Sequence, residues 1–178
     1  MPKSNIVLIG MPASGKSTLG VQLAKWLSMG FIDTDLLVQA RVGESMQAFQ
    51  DANGMEAYRA LECETVGSLV CENCVIATGG SAVYCEDAMQ HLKSIAKIIF
   101  LDVPVGEIKQ RIGDTSERGV VIQPGMTLDD LYEERRPLYL EYADVVIDCS
   151  GKTQDELLAE MRLLFWSAAG SEAPRRFC

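Results

Sequence analysis

A phosphate-binding motif lies near the start of the sequence. Residues 10–17 read Gly-Met-Pro-Ala-Ser-Gly-Lys-Ser and match G-x-x-x-x-G-K-S/T at every fixed position. A short β-branched run precedes the motif at Asn5–Ile9, and helical apolar spacing follows it at Leu19, Leu23 and Leu27. A strand, a glycine loop and a helix in this order direct backbone N–H groups and a helix N-terminus at one anion. The motif therefore predicts binding of a nucleoside triphosphate.

The side chains of this motif have separate predicted tasks. Lys16 would reach the β- and γ-phosphates, and the Ser17 hydroxyl is placed to bind Mg²⁺, so the predicted cofactors are ATP and Mg²⁺. The alternative is a chance match on a structural turn, which the flanking strand and helix disfavour. The predicted nucleotide contacts are Pro12, Ala13, Ser14, Gly15, Lys16, Ser17 and Thr18.

Strand and helix patterns alternate along the rest of the chain, which predicts an α/β fold with a parallel sheet covered by helices on both faces. In such a fold the active site lies at the carboxyl ends of the strands. The predicted strands are Asn5–Ile9, Gly30–Asp33, Cys74–Ala77, Ala96–Leu101 and Val145–Asp148. The predicted helices are Thr18–Leu27, Thr34–Arg41, Met46–Val70 with a break near Asn53 and Gly54, Glu86–Leu92, Pro104–Ile112, Thr127–Tyr142 and Gln154–Phe165.

Composition narrows the class of protein. The chain has 178 residues and a net charge of −9, from 16 basic and 25 acidic residues, which argues against a nucleic-acid partner. No apolar run is long enough to cross a membrane, and no secretory signal is evident, so we expect a cytoplasmic protein. Six cysteines would be free thiols in that compartment. Cys71 and Cys74 have the spacing of zinc ligands, but there is no second pair, which disfavours a zinc site.

Two polar clusters follow predicted strands. Asp33 and Asp35 end the second strand, where one carboxylate could support Mg²⁺ and the other could accept a proton from a substrate hydroxyl. A helix N-cap with a first-turn acid would explain the same residues. Gly79 and Gly80 end the third strand before Ser81, and paired glycines allow either close approach of a ligand or an ordinary turn.

Arginines are the remaining candidates for binding anions. Arg59 lies in a predicted helix, where a surface ion pair with Glu56 or Glu62 is the alternative. Arg135 lies before Pro137, which we expect to kink or terminate its helix. Arg118 lies in a glycine-bearing loop over residues 113–126, from which it could close over a transferring phosphoryl group.

Taken together, these features resemble the shikimate kinase family of P-loop kinases. The resemblance covers about residues 4–165, nearly the whole chain. It rests on the order and spacing of the phosphate loop, Asp33-Thr34-Asp35, residues 49–62 around Arg59, Gly79-Gly80, Arg111 leading to Arg118, and Arg135-Arg136-Pro137-Leu138-Tyr139. The resemblance implies a single-domain three-layer α/β/α fold with a five-stranded parallel sheet and a mobile lid. It implies ATP-dependent phosphorylation of a hydroxyl of shikimate.

The resemblance also implies roles for residues that bind the acceptor. Asp33 would act through the water shell of Mg²⁺, and Asp35 would bind the acceptor hydroxyls and serve as the base. Arg59 and Arg135 would hold the substrate carboxylate, with Gly79, Gly80 and Ser81 beside the acceptor.

At the nucleotide, Arg111 would pack on the adenine, and residues 150–153, including Lys152, would form the other side of its pocket. Arg118 would close with a lid over residues 113–125. Residues 1–168 would form the kinase domain and residues 169–178 a flexible tail. We expect a monomer that binds a small carboxylate-bearing acceptor and neither nucleic acid nor membrane.

The sequence departs from the family pattern at two positions. The family usually has a third glycine at Ser81 and a proline at Gly119, directly after the lid arginine. Both positions lie where acceptor choice and closure are set, so a kinase of another hydroxy acid, such as gluconate, remains an alternative. A regulator that binds nucleotide without turnover is a third hypothesis, disfavoured because Lys16, Asp35 and Arg118 are all present.

Overall fold

The computed structural model describes residues 4–113 and 125–166. In that part of the chain, five parallel strands form one sheet in the order β2-β3-β1-β4-β5. The strands are β1 Asn5–Ile9, β2 Gly30–Asp33, β3 Cys74–Ala77, β4 Ala96–Asp102 and β5 Val145–Asp148. The predicted strands and the parallel sheet are therefore confirmed.

Helices connect each strand to the next one in the chain. They are α1 Lys16–Leu27, α2 Thr34–Val42, α3 Met46–Gly67, α4 Glu86–Ile95, α5 Val105–Ile112, α6 Leu128–Tyr142 and α7 Gln154–Trp166, with a 3₁₀ turn at Ala82–Tyr84. Parallel strands need such crossovers, because the chain must return to the end of the sheet where the previous strand began before it can form the next strand.

The core lies on both faces of the central strands. Val7, Leu8, Val75, Ile98 and Ile99 are all completely buried. A parallel strand that is covered on both faces carries a continuous apolar run rather than an alternating one. These runs therefore place β1, β3 and β4 in the middle of the sheet.

Two proline and glycine predictions have different outcomes. The break in α3 is confirmed, because Gly54 has φ 84° and ψ 168° inside the helix. The predicted helix up to Tyr142 is confirmed, and of the two effects expected of Pro137, a kink or an end of the helix, the end does not occur, since α6 continues through Pro137 to Tyr142. Tyr139, two residues beyond the proline, is buried against Phe100 with ring centroids 5.1 Å apart. Tertiary packing on the sheet thus holds the helix together past a residue that lacks an N–H donor.

The expectation that every cysteine is a free thiol is wrong for one pair. Cys63 in α3 and Cys85 before α4 form a disulfide across a Cα–Cα distance of 5.6 Å. The packing of α3 against α4 brings these two positions within the range that a disulfide can span. Cys71, Cys74 and Cys149 are thiols.

Some predictions fall outside the described residues. They concern Arg118, Gly119 and the rest of the lid between Gly113 and Gly125, and the tail from residue 169. Among the described residues, no helix is long and apolar enough to span a membrane.

The side chain of Asn5, at the start of β1, hydrogen-bonds to backbone groups at the amino ends of β3 and β4. Its buried amide donates to the carbonyls of Cys71 and Ile95 at 2.9 and 3.2 Å, and its oxygen accepts from the Cys74 N–H at 3.0 Å. Truncation would leave these backbone groups without partners in a dry site.

We therefore expect Asn5→Ala to lower the free energy of unfolding by about 3 kcal/mol, measured by urea denaturation. Asn53→Ala is the matched control, because Asn53 makes one exposed bond to the Phe49 carbonyl, and it should lose less than about 1 kcal/mol. Equal losses in the two variants would contradict this role for Asn5.

Candidate active site

The phosphate loop between β1 and α1 has the backbone that its glycines allow. Gly10 and Gly15 have φ of 145° and 98°, values that L side chains rarely adopt. A Cβ at Gly10 would also lie 2.9 Å from the Leu101 carbonyl oxygen. Gly15 is the N-cap of α1, and no side chain caps this helix end. The first-turn N–H groups therefore suit an external anion.

Lys16 lies at the base of this loop. Its ammonium donates to the carbonyls of Gly10 and Met11 at 2.9 and 2.8 Å, and to Ser14 Oγ at 3.4 Å. Burial lowers the pKa of Lys16 to about 8, while the nearby carboxylates, Asp35 foremost, oppose that shift. At neutral pH the loop thus holds a buried positive charge.

Asp33 links β2, α1 and α2. One carboxylate oxygen accepts from the Asp35 N–H at 3.0 Å and caps α2, and the other accepts from Ser17 Oγ at 2.7 Å. The two interpretations of this acidic pair, a helix cap or a site for Mg²⁺, are therefore compatible. A hydroxyl and a carboxylate side by side are the oxygen donors that Mg²⁺ prefers.

Asp35 faces the same space from the first turn of α2. Burial raises its pKa, and Lys16 lowers it. A carboxylate with a raised pKa is a better proton acceptor than an exposed one. Asp35 thus has the electrostatic surroundings of a base.

One cavity of about 740 Å³ joins these groups. This volume is within the usual range of small-molecule sites. Arg59, Gly79 and Asp33 do not line it, and Arg118 lies outside the described residues. The predicted site residues that line it are Pro12, Ala13, Ser14, Gly15, Lys16, Ser17, Thr18, Asp35, Gly80, Ser81, Arg111, Arg135 and Lys152.

Arg59 of α3 and Arg135 of α6 come together at Tyr84, a residue that the sequence analysis missed. The Cζ atoms of Arg59 and Arg135 lie 4.3 and 5.1 Å from the centre of the Tyr84 ring. Arg135 Nε also donates to the Tyr84 hydroxyl at 3.1 Å. Among the described residues, neither arginine has a carboxylate within ion-pair distance. The surface ion pair proposed for Arg59 is therefore not formed.

The two glycines after β3 are required for space rather than for backbone conformation. A Cβ at Gly79 would collide with the carboxylates of Glu62 and Asp35. A Cβ at Gly80 would lie 3.0 Å from Arg135 Nη1 and 3.0 Å from Pro12 Cδ. The glycines thus let charged side chains from three helices meet at the end of β3.

Glu62 is a second site residue, which the sequence suggested only as a surface ion-pair partner of Arg59. It is 1% exposed and accepts from Ser81 Oγ at 2.5 Å, while its Oε1 atom is buried with no partner. Burial raises the pKa of Glu62 to about 7, and the Ser81 hydrogen bond is the largest opposing influence. The available signal was helical spacing, which places Glu62 one turn after the buried Tyr58.

Glu107 organises the other end of the cavity. It pairs with Arg111 Nη2 at 3.0 Å and accepts from the Gly151 N–H at 2.9 Å. Arg111 Nη1 also donates to the Ser14 carbonyl at 3.4 Å, which ties it to the phosphate loop. Lys152 lines the cavity beside Gly151 and pairs with Glu160 at 2.6 Å. Glu107 thus joins the two predicted sides of the adenine pocket.

Comparison with known proteins shows which family this chain belongs to. The shikimate kinase family model matches residues 12–164. The chain belongs to the shikimate kinase family. A relative in this family, the shikimate kinase of Francisella tularensis subsp. novicida, is 35% identical over 153 residues, which cover 84% of this chain and 87% of the relative.

Solved structures of the family agree with this assignment. The shikimate kinase of Acinetobacter baumannii in complex with shikimate has a TM-score of 0.86 and 28% identity, covering 96% of this chain and 97% of that chain. The shikimate kinase of Aquifex aeolicus has a TM-score of 0.79 and 36% identity, covering 94% and 99%. The three-layer α/β/α kinase fold is therefore confirmed.

The raised pKa of Glu62 predicts how stability depends on pH. A carboxyl whose pKa is higher in the folded state stabilises that state at low pH, and this contribution is lost as the pH rises through the folded value. As the pH rises from 5 to 8, ionisation of Glu62 should therefore lower the free energy of unfolding by about 2–3 kcal/mol.

Glu62→Gln should abolish this loss, because glutamine keeps the shape and does not titrate. Urea denaturation of both proteins at pH 5 and pH 8 measures the difference. Glu56→Gln, an exposed change in the same helix, should retain the wild-type pH dependence. An unaltered pH dependence in Glu62→Gln would contradict the burial of a titrating carboxyl here.

Proposed function

We propose that this protein transfers the γ-phosphoryl group of MgATP to a hydroxyl of shikimate, giving shikimate 3-phosphate and ADP. The observation that carries the proposal is one cavity with a phosphate loop, a half-buried carboxylate at Asp35 and a cation at Arg135, itself paired with Arg59 through Tyr84. Membership of the shikimate kinase family supplies the acceptor.

The residues present fit a magnesium nucleotide. Residues Pro12 to Thr18 would hold the phosphates with backbone N–H groups and the Lys16 ammonium. The Ser17 hydroxyl would bind Mg²⁺ directly, and Asp33 would do so through water. When bound, Mg²⁺ neutralises charge on the phosphates. Arg111 and the segment around Lys152 would enclose the adenine.

Asp35 would bind the acceptor hydroxyl and take its proton. Burial raises its pKa, which favours the uptake, and Lys16 nearby opposes that shift and so favours the ionised form. Lys16 would also stabilise charge on the transferring group, with Arg118 closing over it from the predicted lid. Catalysis in this scheme depends on positioning and on neutralising charge rather than on a covalent intermediate.

The acceptor carboxylate would meet Arg135 and Arg59, because two guanidinium groups without a carboxylate partner form a site for an anion. Gly79 and Gly80 would bring backbone close to the acceptor ring. Burial of Arg135, which is 5% exposed, would strengthen this contact by excluding water.

A different hydroxy acid is the second candidate acceptor, and Ser81 is the observation that favours it. Ser81 lines the cavity and donates a hydrogen bond to Glu62. A hydroxyl held by a carboxylate therefore lies where the family usually has a glycine. The kinase chemistry would be the same with either acceptor.

Release of ADP from MgATP with shikimate, quinate and gluconate tests both candidates. We expect turnover with shikimate and a loss of about 1000-fold or more in Lys16→Ala, because a buried cation at the phosphates is removed. Lys25→Ala, an exposed lysine in the same helix, should retain wild-type activity. Turnover with gluconate alone would identify a changed acceptor, and no acceptor-dependent release at all would overturn the kinase proposal.

Arg59→Ala should raise the KM for shikimate about 10- to 100-fold and change the KM for MgATP less than about twofold, because one charged contact to the acceptor is lost. Steady-state kinetics with each substrate varied in turn measure the split. Arg41→Ala is the control, since Arg41 pairs with Glu64 on the surface. Equal increases in both KM values would contradict the assignment of Arg59 to the acceptor.

A further inference from the structure

Tyr84 is the one aromatic ring that both candidate carboxylate-binding arginines contact in the described part of the chain. It ends the 3₁₀ turn Ala82–Tyr84, which packs against both α3 and α6. Arg59 approaches from α3 and Arg135 from α6. The ring therefore occupies the junction of the elements that carry the two guanidinium groups.

Arg59 and Arg135 carry like charges, so another group must stabilise them at the same place. No carboxylate of the described residues lies within ion-pair distance of Arg59 or Arg135, and Glu62 attracts Arg135 only over a longer range. The face of an aromatic ring carries partial negative charge and attracts a guanidinium group. Tyr84 can hold both cations in this way without neutralising either.

The hydroxyl of Tyr84 adds direction to this attraction. It accepts from Arg135 Nε at 3.1 Å. Because Nε is occupied, the Nη end of Arg135 is the part left for a ligand, and Nη1 lies against Gly80 at the cavity. This is the end of a guanidinium that can grip a carboxylate with two parallel hydrogen bonds.

The backbone at Tyr84 is fastened to the helix that carries Arg59. The next residue, Cys85, forms a disulfide with Cys63, one helical turn after Arg59 in α3. Tyr84 is also only half-buried, so it is not a residue that merely fills the core. Its place is set relative to Arg59 by a covalent link and relative to Arg135 by a hydrogen bond.

We propose that Tyr84 is a positioning residue of the acceptor site, whose ring and hydroxyl hold Arg59 and Arg135 as a pair that binds a single carboxylate. The proposal rests on the proposed function, since shikimate is the acceptor that supplies the carboxylate. Tyr84 acts through the arginines and does not touch the reacting atoms. It therefore determines preference for an acidic acceptor rather than the rate of phosphoryl transfer.

Two substitutions separate the ring from the hydroxyl. Tyr84→Phe keeps the ring and should raise the KM for shikimate about 3- to 10-fold, whereas Tyr84→Leu removes both interactions and should raise it about 10- to 100-fold. The kcat and the KM for MgATP should change less than about twofold in both variants. Tyr142→Phe, in α6, is the control and should match the wild type.

The methyl ester of shikimate provides a readout that a structural role would not move. The ester keeps the hydroxyls but has no carboxylate charge, so the wild type should prefer shikimate strongly. The ratio of kcat/KM for shikimate to that for the ester should fall in the order wild type, Tyr84→Phe, Tyr84→Leu. Calorimetric titration of shikimate into each protein should give the same order of affinities.

Several outcomes would overturn the proposal. An unchanged KM and an unchanged acid-to-ester ratio in Tyr84→Leu would show that the arginines need no ring, and equal losses with acid and ester would show a structural role alone. If Tyr84→Leu fails to fold, Tyr84→Phe decides by the same two measurements. Absence of shikimate turnover in the wild type would instead be a failure of the proposed function.

Discussion

The parallel pairing of β3 with β1 on one side and β2 on the other is the constraint on which the site depends. Ala77 of β3 is level with Leu8 of β1 and with Asp33 of β2. The carboxyl ends of three strands therefore finish at one edge of the sheet. The phosphate loop, the acidic pair and the glycines after β3 meet there, although they are far apart in the sequence. A slip of register in β3 would move the glycines that follow it away from the phosphate loop and the acidic pair.

The charges gathered at this edge depend on each other. Lys16, Glu62 and Arg135 are each less than 10% exposed, a condition that isolated charges in proteins rarely tolerate. Each lies within electrostatic reach of the others, with Asp35 alongside, so that burial and mutual attraction oppose one another. The pKa values of Lys16, Glu62 and Asp35 are therefore shifted toward neutrality, as acid–base chemistry near neutral pH requires, while Arg135 stays a permanent cation.

Helix α6 shows how packing outside the cavity supports the groups within it. Arg135 and Tyr139 lie one turn apart on its buried face, and Tyr139 donates to the Gly80 carbonyl at 2.7 Å while stacking on Phe100. Arg136 faces the other way and pairs with Asp102 at the end of β4 at 2.7 Å. One helix is thus fixed to two strand ends, and Arg135 is fixed with it.

The sequence alone determined the strands, the position of the phosphate loop and most residues that line the cavity, because these depend on local patterns and on motifs of short range. It could not indicate Tyr84 or Glu62, since an isolated tyrosine and a helical glutamate have no pattern of their own. It predicted free thiols at Cys63 and Cys85, which the structure contradicts, and it left open whether Pro137 would kink or terminate a helix that continues to Tyr142. Only tertiary structure decides such features, because a buried charge, a shared aromatic ring or a disulfide exists only where separate elements pack together.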